Sequence, residues 1–247
     1  MPKAAKKKQT ENEPTEKDHV RLDYRPDKII IGTDEAGRGP VLGPLVMAAL
    51  AFKESDIQRL EWLGVKDSKM LSSEVRENLF ERIREIVHDF RIEVIEPDAI
   101  DLSLEDASTN LNWLEADTTA RLVGEMDADQ IIIDCPSPNI PAYRNYLLKK
   151  LPKNVVEKAE VIVEHKADVN YIVVAAASVI AKVLRDRAIE NTKREIGIDF
   201  GSGYMTDQKT KDFLEKYHDK YPELFRRKWQ SYKNVEERKK QKTLGEY

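Results

Sequence analysis

Asp34 and Glu35 stand side by side where an apolar run, Ile29-Ile30-Ile31, enters the glycine-rich turn Gly37-Arg38-Gly39-Pro40. Three isoleucines bounded by glycine read as a buried strand, so both carboxylates fall at its C-terminal end. Side chains alternate along a strand, which lets one of the pair enter a site while its neighbour faces the other way. Gly37 and Gly39 carry no Cβ and flank Arg38, so the backbone can approach a ligand closely with a guanidinium alongside. The competing structural reading is a plain strand-to-turn exit, with Asp and Gly as ordinary turn residues.

Two more aspartates occupy comparable places. Asp134 closes the apolar run Ile131-Ile132-Ile133, and Asp168 lies where a strand, Ala159 to Glu164, gives way to a helix. In an α/β sheet such strand ends can converge on one crevice. Carboxylates crowded there would repel one another and take up protons unless a cation sat among them. Mg²⁺ and Mn²⁺, hard cations that prefer carboxylate oxygen and water, suit that place. Each aspartate also has a structural alternative: Asp134 as a loop starter before Pro136, and Asp168 as the N-cap of its helix. The histidines, His19, His88, His165 and His218, form no paired acid and base, and His165 reads as a structural neighbour of Asp168.

The spelling and order of these segments resemble the type 2 ribonucleases H. The opening stretch, Asp34 to Pro44, reads DEAGRGPVLGP, and it is followed by Lys66-Asp67-Ser68-Lys69, Ile131 to Asp134, His165 to Asp168, Ala175 to Lys182 and Gly201 to Tyr204. The resemblance runs from about Lys28 to Lys233. It implies an α/β fold, a ribonuclease H-like mixed sheet flanked by helices, with a helical C-terminal region across the substrate groove.

It also implies that Asp34, Glu35, Asp134 and Asp168 form the catalytic, metal-binding set. Asp34 is the candidate to bridge two ions, Mg²⁺ or Mn²⁺, about 4 Å apart, which activate a water for in-line attack on phosphorus. The implied activity is cleavage of the RNA strand of RNA/DNA hybrids and incision 5′ of ribonucleotides embedded in duplex DNA, leaving 3′-hydroxyl and 5′-phosphate ends. Backbone groups of Gly37, Arg38 and Gly39 could read a 2′-hydroxyl, the group that separates ribose from deoxyribose. Tyr204 corresponds to the family tyrosine that stacks on the neighbouring sugar; a turn tyrosine anchoring a loop is its structural alternative. Lys69, Ser178 and Lys182 are candidate phosphate contacts, the last two sharing a helix face at a spacing of four. A Lys182–Asp186 pair competes with that role.

Two positions depart from the family pattern: Met205 follows Tyr204, and Val173 follows Ile172, where prolines are usual. Two other functional readings stay open. Another nuclease or integrase of the same fold would cut ribose-free duplex equally well. A non-catalytic hybrid-binding subunit would have no need of the intact carboxylates.

The elements that must hold these residues are visible in the hydrophobic pattern. Leu45 to Phe52 and Arg91 to Glu96 read as further strands. A helix capped by Ser72 or Ser73 carries Val75, Leu79, Ile83, Ile86, Val87 and Phe90 on one face. Ser108 to Met126 reads as another helix with Leu111, Leu114, Leu122 and Val123 inward, and a long one runs from about Asn170 to Glu195.

At 247 residues with 40% hydrophobic content, the chain can form a substantial core. Its longest apolar stretch, Tyr171 to Ala181 apart from Ser178, is too short to span a bilayer, and the expectation is a monomeric cytoplasmic enzyme with no membrane contact. A single cysteine, Cys135, excludes an internal disulfide, and its apolar neighbours point to packing. The net charge of −4 is unevenly spread: residues 208–247 hold twelve Lys/Arg against seven Asp/Glu, interleaved with Tyr217, Tyr221, Trp229 and Tyr232. Such a mixture serves phosphate contacts and stacking, or simply solvated helix faces.

Residues 1–27, rich in Lys, Glu and Pro, are expected to be disordered. Residues 28–233 form the catalytic domain in this reading, and 234–247 a basic tail. Within that tail Gln241, Leu244 and Tyr247 resemble the peptide by which replication enzymes bind a sliding clamp. The expectation is a tail that is disordered in the free protein and takes up one helical turn on binding, at an ordering cost, with Leu244 and Tyr247 on one face.

Overall fold

The computed structural model of the protein describes residues 27–65, 71–106 and 108–245, with side chains through Gln241. Lys69, Tyr247 and the N-terminal extension lie outside the described residues, apart from Asp27. The elements in chain order are β1 (Ile29–Ala36), β2 (Leu45–Lys53), α1 (Ile57–Leu63), α2 (Ser73–Arg84), β3 (Asp89–Ile95), α3 (Pro97–Ser103), α4 (Leu111–Gly124) and β4 (Gln130–Asp134). Then follow α5 (Ile140–Lys150), α6 (Lys153–Lys158), β5 (Glu160–Glu164), α7 (Ala167–Asn170), α8 (Ile172–Ile196), α9 (Gln208–Tyr217) and α10 (Gln230–Gly245).

The five strands form one sheet in the order β3-β2-β1-β4-β5. β1 is antiparallel to β2 and parallel to β4, and β5 runs parallel to β4. This is the mixed sheet that the sequence predicts. Alternation along β1 sends Ile31 into a core with α4 and α5. Gly32, on the opposite face, lies against α8. A Cβ at Gly32 would stand 2.4 Å from the backbone of Val173, so only glycine lets the helix come this close. Alanines Ala175, Ala176 and Ala177 make the same approach possible from the helix side, and all three are buried. The N-terminal half of α8 is apolar all round because it is enclosed by the sheet, α1 and α2. No helix among the described residues is long and apolar enough to cross a membrane.

A third cluster joins the C-terminal region to the glycine turn. Val41 and Leu42 pack with Phe200, Phe213, Leu214, Phe225, Tyr232 and Val235. Leu42 bridges Phe225, and Gly43 N–H donates to the Leu224 carbonyl at 3.0 Å.

Several elements differ from the sequence-based expectation. α2 is capped by Ser72, whose hydroxyl accepts from Val75 N, but it ends at Arg84. Ile86 and Val87 therefore follow the helix, and Phe90 belongs to β3, where it is 49% exposed. α4 begins at Leu111 because the Asn110 side chain accepts from Trp113 N and starts the helix there. The helix expected from Asn170 is interrupted: Tyr171 is extended, separating the single turn of α7 from α8. α10 runs unbroken past Lys233 through Gly245, anchored by buried Tyr232 and Val235, so the basic tail is already helical through Gly245 rather than disordered, and no break separates it from the helical region.

Candidate active site

Parallel pairing of β1 and β4 runs from Ile30 opposite Gln130 to Thr33 opposite Ile133. Asp34 and Asp134 thus leave the sheet at one level on adjacent strands. Beyond β5 the chain turns through Lys166, whose φ of 59° is left-handed, into α7. Asp134 Oδ1 accepts from Ala167 N at 3.0 Å and draws this turn against β4. Asp168 sits in the first turn of α7 and is not its N-cap, a place taken by Lys166. The outcome is one cluster: carboxylate oxygens of Asp34, Asp134 and Asp168 lie within 4.8 Å of one another, with Asp34 and Asp168 buried and Asp134 partly so.

Glu35 is outside this cluster because strand alternation turns it toward α4. It nevertheless lines the same cavity, of about 550 Å³, together with Asp34, Asp134, Gly37, Arg38, Gly39, Lys182 and Tyr204. The cavity also takes in Arg76, Arg185 and Asp186.

The electrostatics are those of a site built for positive charge. Burial, opposed by the nearby Lys182 ammonium and a Ser178 hydrogen bond, pushes Asp34 up from 3.8 to about 6. Glu35 is raised well above its ordinary value by burial and by the charges of Asp34, Glu115 and Asp134. Carboxylates that hold their protons this tightly are compensated when a divalent cation enters. Three clustered oxygen donors match the chemistry of a hard cation and offer no soft ligand.

Ser178 and Lys182 do share one face of α8, but their places differ. Ser178 is fully buried and bonds to the Asp34 carboxylate from beneath, while Lys182 lines the cavity and donates to the Ser178 hydroxyl. Asp186 engages Arg76 at 2.9 Å. The Arg38 guanidinium, expected alongside a ligand, is bound to α4: Nε donates to Glu115 Oε1 at 2.9 Å and Nη2 to Asn112 Oδ1 at 2.6 Å. Tyr204 is 38% exposed and its ring lies 5.2 Å from the Arg185 guanidinium. His165 Nδ1 bonds the Cys135 carbonyl, and Cys135 is buried.

Sequence reasoning missed Glu115, Arg185 and Arg226. Glu115 carries a signal: it lies between Leu111 and Leu122 on the inward face of α4, where a charge is out of pattern. Burial lifts Glu115 to about 7 against the pull of Arg38. Arg185 and Arg226 carry no such local mark.

A mixed sheet in this strand order, with aspartates gathered where its central parallel strands end, places the protein among nucleases of the ribonuclease H fold. A profile of the Ribonuclease HII family matches residues 31–232, and the chain belongs to that family. It is 40% identical to the Ribonuclease HII of Pyrococcus furiosus over 223 residues, 87% of this chain and 96% of the relative. The crystal structure of the ribonuclease H2 from Pyrococcus horikoshii OT3 superimposes with a TM-score of 0.76 at 39% identity, covering 85% of this chain and 98% of that one. The structure of the PCNA:RNase HII complex from Archaeoglobus fulgidus gives a TM-score of 0.72 at 37% identity, with 82% and 95% covered. The protein is accordingly an endoribonuclease.

Proposed function

We propose that the chain hydrolyses the RNA strand of RNA/DNA hybrids and incises duplex DNA 5′ of an embedded ribonucleotide, within a catalytic domain of residues 28–233. The observation that carries this reading is the cluster of Asp34, Asp134 and Asp168, of which Asp34 and Asp134 line a cavity together with the glycine turn and Tyr204. The three aspartates, with Glu35 beside them, would hold two divalent ions, Mg²⁺ or Mn²⁺, which would supply Lewis acidity toward phosphate oxygen and activate a water. Ser178 holds the Asp34 carboxylate in place, and Ala167 N–H does the same for Asp134. Backbone groups of Gly37, Arg38 and Gly39 meet the 2′-hydroxyl, and Tyr204 stacks on the adjoining sugar. Lys182 and Lys69 contact phosphate.

The intact carboxylates favour an enzyme over a hybrid-binding subunit, and a glycine turn suited to a 2′-hydroxyl favours ribose over an all-DNA substrate. The test is a duplex DNA carrying one ribonucleotide: incision 5′ of it is expected with Mg²⁺ or Mn²⁺ and none with EDTA. Equal cutting of the ribose-free duplex would overturn the assignment. A monomer acting in the cytoplasm completes the reading.

Gln241, Leu244 and Tyr247 are proposed to dock on a sliding clamp. An exposed Gln241 and a backbone already helical through Gly245 support this, since less ordering then opposes binding. A chain ending at Lys240 should lose most of its affinity for a homologous clamp. Indistinguishable titrations of the full and shortened chains would eliminate the contact.

A further inference from the structure

Among the described residues Arg226 is the bulkiest of the fully buried side chains, and its guanidinium is spent on main chain. Nη2 donates to the Gly37 carbonyl at 2.5 Å and Nη1 to the Arg38 carbonyl at 2.9 Å. Nε and Nη2 both reach the Gly43 carbonyl, at 3.1 and 2.9 Å. The residue's own N–H donates to the Val41 carbonyl at 2.8 Å, so Arg226 and the turn are locked together at both ends.

The geometry of the peptide group turns these contacts into a directional device. A trans peptide unit is planar, with its C=O and N–H pointing opposite ways. Fixing the carbonyls of Gly37 and Arg38 therefore fixes the N–H vectors of Arg38 and Gly39, and aims them away from Arg226. Residues 37–39 wall the cavity and Arg226 does not, so away from Arg226 is toward the cavity. The turn is braced from its other side through the Arg38 guanidinium, which is held by Glu115 and Asn112. Gly37 itself has a φ of 85°, and a Cβ there would stand 2.5 Å from the Pro44 carbonyl, so the turn has little room to adjust.

We propose that Arg226 is the positioning residue for ribose selection: it holds the Arg38 and Gly39 amides aimed into the cavity, where they meet a 2′-hydroxyl, without touching substrate or metal itself. The claim rests on the glycine turn being the reader of that hydroxyl. A residue that merely anchored the C-terminal region would affect stability alone, whereas a residue that sets the amide vectors also affects the choice of sugar.

The discriminating quantity is ribose preference, taken in Mg²⁺ as the inhibition constant of an all-DNA duplex divided by the KM of the same duplex with one ribonucleotide. Arg226→Lys keeps the charge but cannot span three carbonyls. It is expected to lower this ratio by about tenfold, the effect of a mispositioned hydrogen bond, while the Mn²⁺ concentration needed for half-maximal activity stays at its wild-type value. Asn112→Ala, which loosens the other end of the brace while leaving Glu115 on Arg38, should move the ratio the same way by a smaller factor. A folded Arg226→Lys protein, by near-ultraviolet circular dichroism, with the wild-type ratio overturns the proposal. If that variant does not fold, an unchanged ratio in Asn112→Ala overturns it instead. A wild-type enzyme with no ribose preference would overturn the reading of the turn and the proposal with it, which separates the two failures.

Discussion

Asp34→Asn and Asp134→Asn are each expected to reduce cleavage by about a thousandfold or more, since a lost metal ligand removes several kcal/mol of transition-state stabilisation and each ~1.4 kcal/mol is a factor of ten. Both changes preserve side-chain shape. An amide oxygen at position 134 can still accept from Ala167 N, and one at position 34 can still accept the Ser178 hydroxyl. The fold and hybrid binding should therefore remain. Single-turnover cleavage in Mg²⁺, alongside hybrid binding in EDTA, checks this. Near-normal rates in both variants would remove the aspartates from the chemistry.

The second large effect is a stability profile that runs opposite to ordinary acid denaturation. Burial raises Asp34 from 3.8 to about 6 and Glu115 from 4.5 to about 7 in the folded, metal-free protein. The folded state therefore keeps protons that the unfolded chain has already released. The associated stability is fully present below about pH 4, and it is lost as pH rises through about 6 and then 7. Asp34 alone corresponds to a loss on the order of 3 kcal/mol at most. Metal-free protein should consequently melt several degrees lower at pH 7.5 than at pH 5, and Mg²⁺ or Mn²⁺ should restore more of that loss at pH 7.5. In Asp34→Asn the fall between the two pH values should be smaller. Thermal melts of both proteins in EDTA and in metal measure the difference; identical pH profiles for wild type and variant would contradict the burial of a reluctant carboxylate at position 34.

The parts of this molecule legible in its sequence are those whose cause is local. Ile29 to Ile31 and Ile131 to Ile133 are short, uninterrupted and β-branched, so strand and strand end could be placed, and the aspartates with them. Ser72 capped its helix as its residue type favours. What could not be read depends on partners distant in the chain. α5 begins at Ile140 with Asn139 and Pro141 as its start signals, but the weakly periodic stretch between Pro136 and Lys158 gives little contrast between helix and loop. The turn into α7, after which Tyr171 is extended, is tied to β4 by Asp134 accepting from Ala167 N–H, a contact between positions thirty-three apart. Gly32 looked like the end of a strand and is the point where α8 lies against the sheet. Arg226 stands 188 positions from Arg38, and nothing around it in the sequence distinguishes a buried guanidinium from a solvated one.

Hydrolysis by water at the phosphate 5′ of a ribonucleotide is the proposed reaction, and the ends of the product report it most directly. With water as nucleophile, mass spectrometry of a cleaved single-ribonucleotide duplex should find a 3′-hydroxyl on the upstream DNA fragment and a 5′-phosphate on the fragment that begins with the ribonucleotide. A 2′,3′-cyclic phosphate would mean that the ribose hydroxyl had attacked, on the opposite side of the ribonucleotide, and would contradict the assignment of the aspartate cluster.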